Sequence, residues 1–365
     1  NPCGSSVSED LVAGKPNGLR WTGGPLWARS HEHTASMNAM VSAGGRVFYV
    51  MDEGPIASIQ LPAENYLTAR DAFNGVVLWK MPLQSWFNHL YPLKSGPGWL
   101  PRRLVAVEDK VYLSPGTGEN LLCLDAATGD ILKEYRDTAT TFEVIVSDGV
   151  VFAAVDPDDQ PVDYNQQHPN CWKERDRASQ LFAWRRGAGT RIVKALDADS
   201  GDLLWKREMP VVPMTLAVDD EKVCFYNGDA VCALDRKNGE DLWSTAVAEM
   251  KQVRTGYAGP RLMVCEDQIV FAPQKQIFVL NSKTGDMTWS VKDKPRSGHF
   301  SLEDVYVVGD KLWVMGRDNR GKYTTYNLSD GEILKQHTNP IDSFYIHQRC
   351  YPGKATKRYL LPPIM

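Results

Sequence analysis

The stretch Lys194-Ala-Leu-Asp-Ala-Asp-Ser-Gly-Asp-Leu-Leu-Trp205 sets the pattern around which this chain is organised. Asp197 lies four residues before Gly201, and Trp205 lies four residues after it. An Asp or Asn side chain can accept hydrogen bonds from the backbone of the turn that it opens, and Gly tolerates the positive φ that ends such a turn. The stretch therefore predicts a strand, a tight turn and a second strand.

Five further copies of this skeleton can be aligned, each with Asp or Asn first and Gly four residues later. They are Asp235/Gly239/Trp243, Asn281/Gly285/Trp289, Asp71/Gly75/Trp79, Asp125/Gly129/Lys133 and Asn327/Gly331/Lys335. Because Lys133 and Lys335 stand where the other copies have tryptophan, we expect those two junctions to be weaker or differently filled.

The spacing of the copies predicts the architecture. Short runs of alternating β-branched and aromatic residues precede the turns, and such runs are typical of strands. Successive motif glycines are 54, 72, 38, 46 and 46 residues apart, which brackets the roughly 40 to 50 residues of a four-stranded propeller blade. We therefore predict an all-β fold, a single β-propeller domain over residues 1–365 with seven blades. Eight blades, with the chain truncated at its C-terminus, is the alternative.

The two long intervals between motifs predict insertions. One is a face insertion at 156–190 with a short helix from Cys171 to Trp184, and the other is a long inter-blade loop at 81–103. In a propeller both kinds of connection emerge on the same face, so we expect function on that face. Residues near Leu19 to Trp21 are the candidates for a strand that closes the ring and removes an exposed sheet edge.

These repeats resemble those of the PQQ-like β-propeller repeat proteins, whose blades carry the motif Ala-x-Asp-x-x-Thr-Gly-x-x-x-Trp. The resemblance runs from about Met40 to the C-terminus, and it implies that the motif tryptophans dock between adjacent blades. The phrases Trp21-Thr-Gly-Gly-Pro-Leu-Trp27 and Asp52-Glu-Gly-Pro55 are more specifically similar to a secreted planctomycete-type subfamily of mostly uncharacterised proteins. The resemblance implies a secreted or periplasmic location.

Overall charge argues against two classes of partner. The formal net charge is -4, with 41 basic and 45 acidic residues, which provides no electrostatic footprint for nucleic acid or for an anionic membrane. No apolar run approaches the roughly 18 to 20 residues that span a bilayer. We predict no nucleic-acid partner and no membrane span.

Cysteine usage argues against several cofactors. The seven cysteines include no C-x-x-C motif and no adjacent pair, so we expect Cys123, Cys224, Cys232 and Cys265 to be buried in strands. Quinoprotein alcohol dehydrogenases share the repeat, but their vicinal disulfide needs adjacent cysteines. We therefore predict no cofactor and disfavour PQQ and quinoprotein dehydrogenase activity. Ca²⁺ or a transition metal stays open, although Asp52 with its neighbour Glu53 is predicted to form a turn.

Histidines supply candidates for a site. His31, His33, His89, His299 and His347 precede predicted innermost strands, which line the channel of a propeller. We expect all of them except His31 to approach one end of that channel, near Arg102 and Arg349. His31 and His33 are the metal candidates, because an i, i+2 pair in an extended segment can share an ion. The alternative is that these histidines are hydrogen-bonded residues of channel loops.

Basic residues supply the ligand-binding candidates, because arginine binds carboxylate or sulfate groups at two points. These candidates are Arg102, Arg103, Arg254, Arg349 and Lys354. The catalytic candidates, as acid or base groups, are His89, His299, His347 and Tyr257. For Arg102 and Arg103 the alternative is a solvated entry to a strand.

Together these features predict a secreted or periplasmic ligand-binding or scaffolding module without PQQ. Its partner would be a glycan or a protein on the insertion-bearing face. The alternative is a polysaccharide lyase or hydrolase acting on acidic glycans. The sequence leaves open whether the protein is an enzyme.

Overall fold

The computed structural model describes most of the repeats, and their regular secondary structure is almost entirely β. The described residues are 3–4, 7–8, 18–23, 37–57, 61, 63–84, 86, 100–116, 118–158, 183–185, 190–247, 252–254, 258–273, 276–293, 301–302, 305–315, 323–338, 354–356 and 360–361. They form 31 strands and one short 3-10 helix, so the all-β prediction is confirmed. None of the helical structure in these ranges is long and apolar enough to cross a membrane.

Six sheets have four antiparallel strands each, and a first short strand, β1 (Val7–Ser8), precedes them. Sheet 1 contains β2 (Met37–Ala43), β3 (Arg46–Asp52), β4 (Asn65–Asp71) and β5 (Val77–Leu83). Sheet 2 follows the 3-10 helix Leu100–Arg103 and contains β6 (Leu104–Val107), β7 (Lys110–Leu113), β8 (Leu121–Asp125) and β9 (Ile131–Tyr135). Sheet 3 contains β10 (Thr141–Ser147), β11 (Val150–Val155), β13 (Arg191–Asp197) and β14 (Leu203–Met209), with β12 (Ala183–Arg185) falling between its second and third strands in sequence.

The remaining sheets repeat this order. Sheet 4 contains β15 (Ala217–Val218), β16 (Lys222–Tyr226), β17 (Ala230–Asp235) and β18 (Asp241–Ala246). After β19 (Gln252–Arg254) and β20 (Ala258–Gly259), sheet 5 contains β21 (Arg261–Cys265), β22 (Gln268–Ala272), β23 (Ile277–Asn281) and β24 (Met287–Val291). After β25 (Ser301–Leu302), sheet 6 contains β26 (Val305–Val308), β27 (Lys311–Met315), β28 (Tyr323–Asn327) and β29 (Ile333–His337), and β30 (Lys354–Thr356) and β31 (Leu360–Leu361) end the chain order. The short strands pair as β1-β30-β31, β12-β19 and β20-β25.

The chain divides into two compact units. The first unit, residues 14–182 and 189–209, contains sheets 1 to 3, and the second, residues 1–13, 183–188 and 210–365, contains sheets 4 to 6. Four-stranded antiparallel sheets in regular succession agree with predicted propeller blades. The seven-blade count and the single domain stay predictions.

The motif turns close as the sequence predicts. The carboxylate of Asp197 accepts hydrogen bonds from the amides of Asp199 and Ser200 at 3.0 and 2.7 Å. The amide of Gly201 donates to the Asp197 carbonyl at 2.9 Å. Gly201 has φ +81°, and the other five motif glycines lie between +73° and +80°, a range that favours glycine because a Cβ is strained there.

Each sheet has two different ends. The amide of Ala198, in the motif turn of sheet 3, donates to the carbonyl of Gly149, in the hairpin between the first two strands, at 2.8 Å. We call this end the motif edge. At the opposite end, the link edge, the chain enters the first strand, leaves the fourth, and connects the second to the third. Both predicted insertions therefore belong to link edges, one in sheet 3 and one between sheets 1 and 2.

Motif tryptophans join one sheet to the next. The indole Nε1 of Trp79 donates to the carbonyl of Ala126 at 3.1 Å. Its ring covers Gly129 so closely that a Cβ at that glycine would lie 2.7 Å from the ring. Trp243 and Trp289 donate to the next motif turns in the same way. The glycine thus serves two purposes, since it permits the positive φ and leaves room for the indole.

The junction after Lys133 is filled differently, as predicted. Lys133 Nζ donates to the carbonyl of Ser200 at 3.0 Å, and the hydroxyl of Tyr135 donates to the carbonyl of Ala198 at 2.6 Å. Tyr135 is fully buried. The carbonyl that a motif indole would bind is therefore bound by a phenol two residues further along the strand.

Trp21 performs the same docking for sheet 1. Its Nε1 donates to the carbonyl of Ala72 at 3.0 Å, and a Cβ at Gly75 would lie 2.5 Å from its ring. Residues 18–23 contain no strand. The segment that we predicted to supply a strand supplies a motif-type tryptophan to the first motif turn.

Apolar side chains pack between neighbouring sheets. Between sheets 4 and 5, Tyr226 and Phe271 have ring centroids 4.5 Å apart within a buried cluster that includes Leu262 and Ile269. Fully burying one such side chain contributes about 1.5 to 3 kcal/mol. Similar clusters fill the spaces between sheets 2 and 3 and between sheets 5 and 6.

Some local predictions need correction. Ala183 and Trp184, at the end of the predicted helix from Cys171, are in strand β12, which pairs with β19. The rest of that helix lies outside the described residues. The loop predicted to begin at residue 81 begins later, because β5 continues to Leu83.

The four cysteines expected to be buried do lie in strands but differ in burial. Cys123 and Cys224 are buried, whereas Cys232 and Cys265 are partly exposed. Burial raises the pKa of the Cys265 thiol to about 12.

Candidate functional site

The link edge of the first unit carries a cluster of charged side chains. The 3-10 helix Leu100–Arg103 brings two of the predicted ligand-binding residues, Arg102 and Arg103, to the start of β6. Neighbouring strand β10 contributes Glu143, a charged residue in an otherwise largely apolar strand. We call Arg102, Arg103 and Glu143, together with Trp86, the link-edge cluster.

Arg103 is the rigid base of this cluster. Its Nε donates to the carbonyl of Ser114 at 3.1 Å, and its Nη1 donates to the carbonyl of Trp86 at 3.0 Å. The guanidinium lies 4.4 Å from the centroid of the Trp86 ring, a cation–π contact. Arg103 is only 3% exposed, so the solvated strand entry that we gave as an alternative is wrong for this residue.

Arg102 is placed to meet solvent. Its Nη1 lies 3.6 Å from Oε1 of Glu143, and the side chains of Arg102 and Glu143 are 18% and 0% exposed. A carboxylate without solvent exposure is costly unless cations or hydrogen bonds compensate its charge. Glu143 therefore orients Arg102, whose side chain stays partly exposed.

A second ion pair extends the charged region along sheet 3. Arg191 Nη2 lies 2.7 Å from Oδ2 of Asp156, and the guanidinium of Arg191 lies 5.0 Å from the centroid of the Phe142 ring. Asp156 follows β11 and Arg191 begins β13, so both belong to the link edge. Sequence reasoning missed Glu143, Asp156 and Arg191. The one available signal was Glu143, a charge inside the run Thr141-Phe-Glu-Val-Ile-Val146.

Buried charge recurs at one position of the first strands. Glu143 in sheet 3 is opposite Ala154, and Arg261 in sheet 5 is opposite Ala272, at the same distance from their hairpins. Arg103 takes this place in sheet 2, where its carbonyl accepts from the amide of Ser114. All three side chains are at most 3% exposed. In sheets 2, 3 and 5 this position makes the link-edge end of the first strand charged.

One further cation of sheet 3 is held internally. Lys194 Nζ donates to the carbonyl of Asp137. Burial lowers the pKa of Lys194, because removing an ammonium group from water disfavours its charged form. Lys194 therefore belongs to the structural interior and is not part of the exposed face.

Most of the predicted site residues cannot be placed beside this cluster. His31, His33, His89, His299, His347, Tyr257 and Arg349 lie outside the described residues. The backbones of Arg254 and Lys354 are in β19 and β30, and their side chains lie outside the description. The convergence of histidines at one mouth stays a prediction, and Arg102 and Arg103 are the predicted pair that the structure brings together.

The described residues offer no set of ligands for a metal. They contain no group of three or more His, Cys, Asp or Glu side chains arranged to hold an ion. Oδ1 of Asp52 accepts from the amides of Gly54 and Glu64 at 3.0 Å each, and Glu53 pairs with Lys80 at 2.6 Å. Ca²⁺ takes six to eight oxygen ligands. The turn at Asp52 and the Glu143 carboxylate beside Arg102 therefore do not fit the calcium ion that a quinone cofactor such as PQQ would need.

Comparison with known proteins agrees with this repeat structure. Residues 188–341 match a PQQ-like repeat family model described as outer membrane protein assembly factor BamB. The chain is similar to PQQ-like β-propeller proteins over this range. No curated protein sequence matches it.

Solved structures of PQQ-like propellers are similar in fold to this chain. BamB from Moraxella catarrhalis is 15% identical with a TM-score of 0.51, over 81% of this chain and 74% of that one. A europium-containing methanol dehydrogenase is 9% identical with a TM-score of 0.51, over 87% and 72%. Quinohemoprotein alcohol dehydrogenase from Comamonas testosteroni is 11% identical with a TM-score of 0.51, over 87% of this chain and 62% of that one. At these identities the likeness shows the fold.

Proposed function

We propose that this protein is a secreted or periplasmic binding and scaffolding propeller that docks a protein partner at the link edge of its first unit. Arg102 is the residue that carries the proposal. It is partly exposed and is held beside a carboxylate that has no solvent exposure. A guanidinium fixed in this way is organised to bind a carboxylate of the partner at two points.

The surroundings of Arg102 support binding rather than simple solvation. Its neighbour Arg103 is fixed by two backbone carbonyls and by the ring of Trp86. The helical turn that presents Arg102 is therefore rigid, and less conformational entropy is lost when a partner binds. The three charged side chains of the cluster carry a formal charge of +1, which favours an acidic group.

A protein partner is favoured over a glycan because the matching family model is described as an assembly factor. The shared chemistry is a carboxylate, carried by Asp or Glu in a protein and by a uronate in a glycan. Enzymatic cleavage of acidic glycans depends on His89, His299, His347 and Tyr257, which stand outside the described residues. That alternative stays a prediction and becomes one outcome of the test.

The test compares the full chain with two arginine variants. Binding of acidic peptides and of uronate and sulfated glycans is measured for the wild type, for Arg102→Ala and for Arg46→Ala. Arg46 is the matched control, since its guanidinium donates to the carbonyl of Gly44 at the motif edge of sheet 1. We expect acidic peptides to bind the wild type and Arg46→Ala equally, and Arg102→Ala at least tenfold more weakly. The affinity should fall as ionic strength rises.

Three results would contradict the proposal. If Arg102→Ala bound acidic peptides as tightly as the wild type, Arg102 would not be part of the binding site. Tighter binding of glycans than of peptides of equal charge would mean that the partner is a glycan and not a protein. Release of unsaturated or reducing-end products from a glycan would support the enzyme.

A further inference from the structure

The N-terminal segment contacts the second unit through its backbone. The amide of Val264, in β21, donates to the carbonyl of Cys3 at 2.9 Å. Nη2 of Arg261 lies 3.4 Å from the carbonyl oxygen of Gly4 and donates to it. These contacts place residues 3 and 4 along β21, the first strand of sheet 5.

The same segment continues to a second strand. β1 pairs in parallel with β30, and Val7 and Ser8 are the partners of Ala355 and Thr356. Ala355 is 2% exposed. Within a few residues the N-terminal segment therefore makes backbone contacts with two strands that are far apart in sequence. We call the receiving surface, formed by β21 and β30, the N-terminal seat.

Position 4 of the segment accepts only glycine in the N-terminal seat. Gly4 is buried, and its φ of +74° is in the left-handed region that favours glycine. A Cβ at this position would lie 2.3 Å from the carbonyl oxygen of Leu262 and 3.4 Å from the Cβ of Ala217. Backbone occupies the space that any side chain would need, so larger residues are excluded. Cys3 packs on the same buried cluster.

We propose that the N-terminal seat is a binding site for a peptide segment, occupied in this chain by residues 3–4 and 7–8, and that the same segment of a second copy can fill it in trans. Strand addition uses main-chain hydrogen bonds for affinity and a few side-chain positions for specificity. Both features are present here, since the backbone supplies the contacts and Gly4 supplies the selection. The seat belongs to the second unit, so the proposal is independent of Arg102.

The test opens the seat in the full chain. Gly4→Val should eject the resident segment, and Gly18→Val is the matched control because nothing lies within 4 Å of a Cβ added there. A fluorescent peptide of residues 1–12 is the probe, used under reducing conditions, and its anisotropy gives the affinity. We expect the peptide to bind Gly4→Val at least tenfold more tightly than the wild type or Gly18→Val. The tethered segment competes at a high effective concentration in those two chains.

Amide exchange at Val264 gives a second readout. It should be slow in the wild type, at least tenfold faster in Gly4→Val, and slow again when the peptide is added. The same peptide carrying valine at position 4 should neither bind nor restore protection. Ser8→Pro, which places a proline in β1 opposite Thr356, gives a second way to loosen the segment if Gly4→Val fails to fold.

Clear results would overturn the proposal. One is a protected Val264 amide in folded Gly4→Val, which would mean that residues 3 and 4 are not what covers it. Another is fast exchange at Val264 without peptide binding, which would make the segment a fixed part of the fold. If the peptide with valine at position 4 bound as tightly as the peptide with glycine, the site would not be specific for Gly4.

Discussion

The hydroxyl of Tyr135 donates a 2.6 Å hydrogen bond to the carbonyl of Ala198 and so replaces the indole that joins sheets at other motif turns. Tyr135 is fully buried, and burial raises its pKa far above the ordinary value. The hydroxyl therefore stays protonated as a donor. This junction lacks the motif tryptophan but keeps the bond that the tryptophan would make.

We expect Tyr135→Phe to lower the free energy of unfolding by about 1 to 2 kcal/mol, because the carbonyl of Ala198 loses its donor in a buried place. Lys133→Ala should cost less than about 0.5 kcal/mol, since its bond to Ser200 is exposed. Urea unfolding of both variants measures the difference. Equal losses would show that the phenol bond does not hold the junction.

Two motif glycines should differ in their tolerance of alanine. Both have φ near +80°, so backbone strain is the same. A Cβ at Gly129 would lie 2.7 Å from the Trp79 ring, whereas at Gly201 the nearest atom is Cδ of Lys133 at 3.2 Å. We expect Gly201→Ala to cost about 1 kcal/mol and Gly129→Ala about 1 to 3 kcal/mol more, from overpacking. Denaturant midpoints decide, and equal costs would rule out the indole as the cause.

Trp21 should stabilise sheet 1 although it lies outside any strand. Trp21→Ala loses the bond to Ala72 and the packing on Gly75, and we expect a loss of about 2 kcal/mol, less than for a fully buried tryptophan. Leu19→Ala is the control, because Leu19 is 86% exposed. Thermal unfolding of the two variants measures this. A Trp21→Ala melting temperature equal to that of the control would mean that the indole adds nothing.

Acid should loosen the motif turns that begin with Asp. The amides of Thr128 and Ala127 hold the pKa of Asp125 below its ordinary value, and the amides of Ser200 and Asp199 do the same for Asp197. A lowered folded pKa means that the stabilisation is present above the unfolded pKa of about 3.9 and is lost as the pH falls through the folded pKa.

Asparagine keeps the acceptor and does not titrate, and Asn281 already stands at an equivalent position. We therefore expect the double variant Asp125→Asn/Asp197→Asn to lose less melting temperature than the wild type between pH 5 and pH 3. Asp220→Asn, at an exposed position, is the control and should follow the wild type. An unchanged pH slope in the double variant would contradict the assignment.

Glu143 and Arg102 should separate stability from binding. Removing one partner of a buried ion pair typically costs about 3 to 5 kcal/mol, because the other charge is left uncompensated. The 3.6 Å separation and the partial exposure of Arg102 place Glu143→Ala at the lower end. Arg102→Ala leaves the carboxylate of Glu143 without solvent exposure and without this cation, so it should cost at least as much as Glu143→Ala. It should also weaken the binding of acidic peptides at least tenfold. Chemical unfolding and peptide titration of both variants measure this. If Arg102→Ala were destabilised but bound acidic peptides as well as the wild type, Arg102 would be a structural residue.

Local sequence was sufficient for the repeat itself. The Asp or Asn, the Gly four residues later and the strand runs between them predicted the turns, the four-stranded units and the altered junction at Lys133. Each of these depends on contacts within a few residues, or on a motif that returns with a fixed period. The docking role of the tryptophans came from the resemblance to PQQ-like propellers, and the structure shows it for Trp79, Trp243 and Trp289.

Only the tertiary structure decided which residues far apart in sequence contact each other. The sequence near Tyr135 does not indicate that its hydrogen-bond partner is Ala198, and the sequence near Trp21 does not indicate Ala72. These contacts form only when separate parts of the chain pack together. The pairing of Arg102 with Glu143 likewise needs the 3-10 helix before β6 to lie beside β10. Gly4 is the clearest case: its sequence neighbours indicate no constraint, and the carbonyl of Leu262, which leaves no room for a side chain there, reaches it only through the fold.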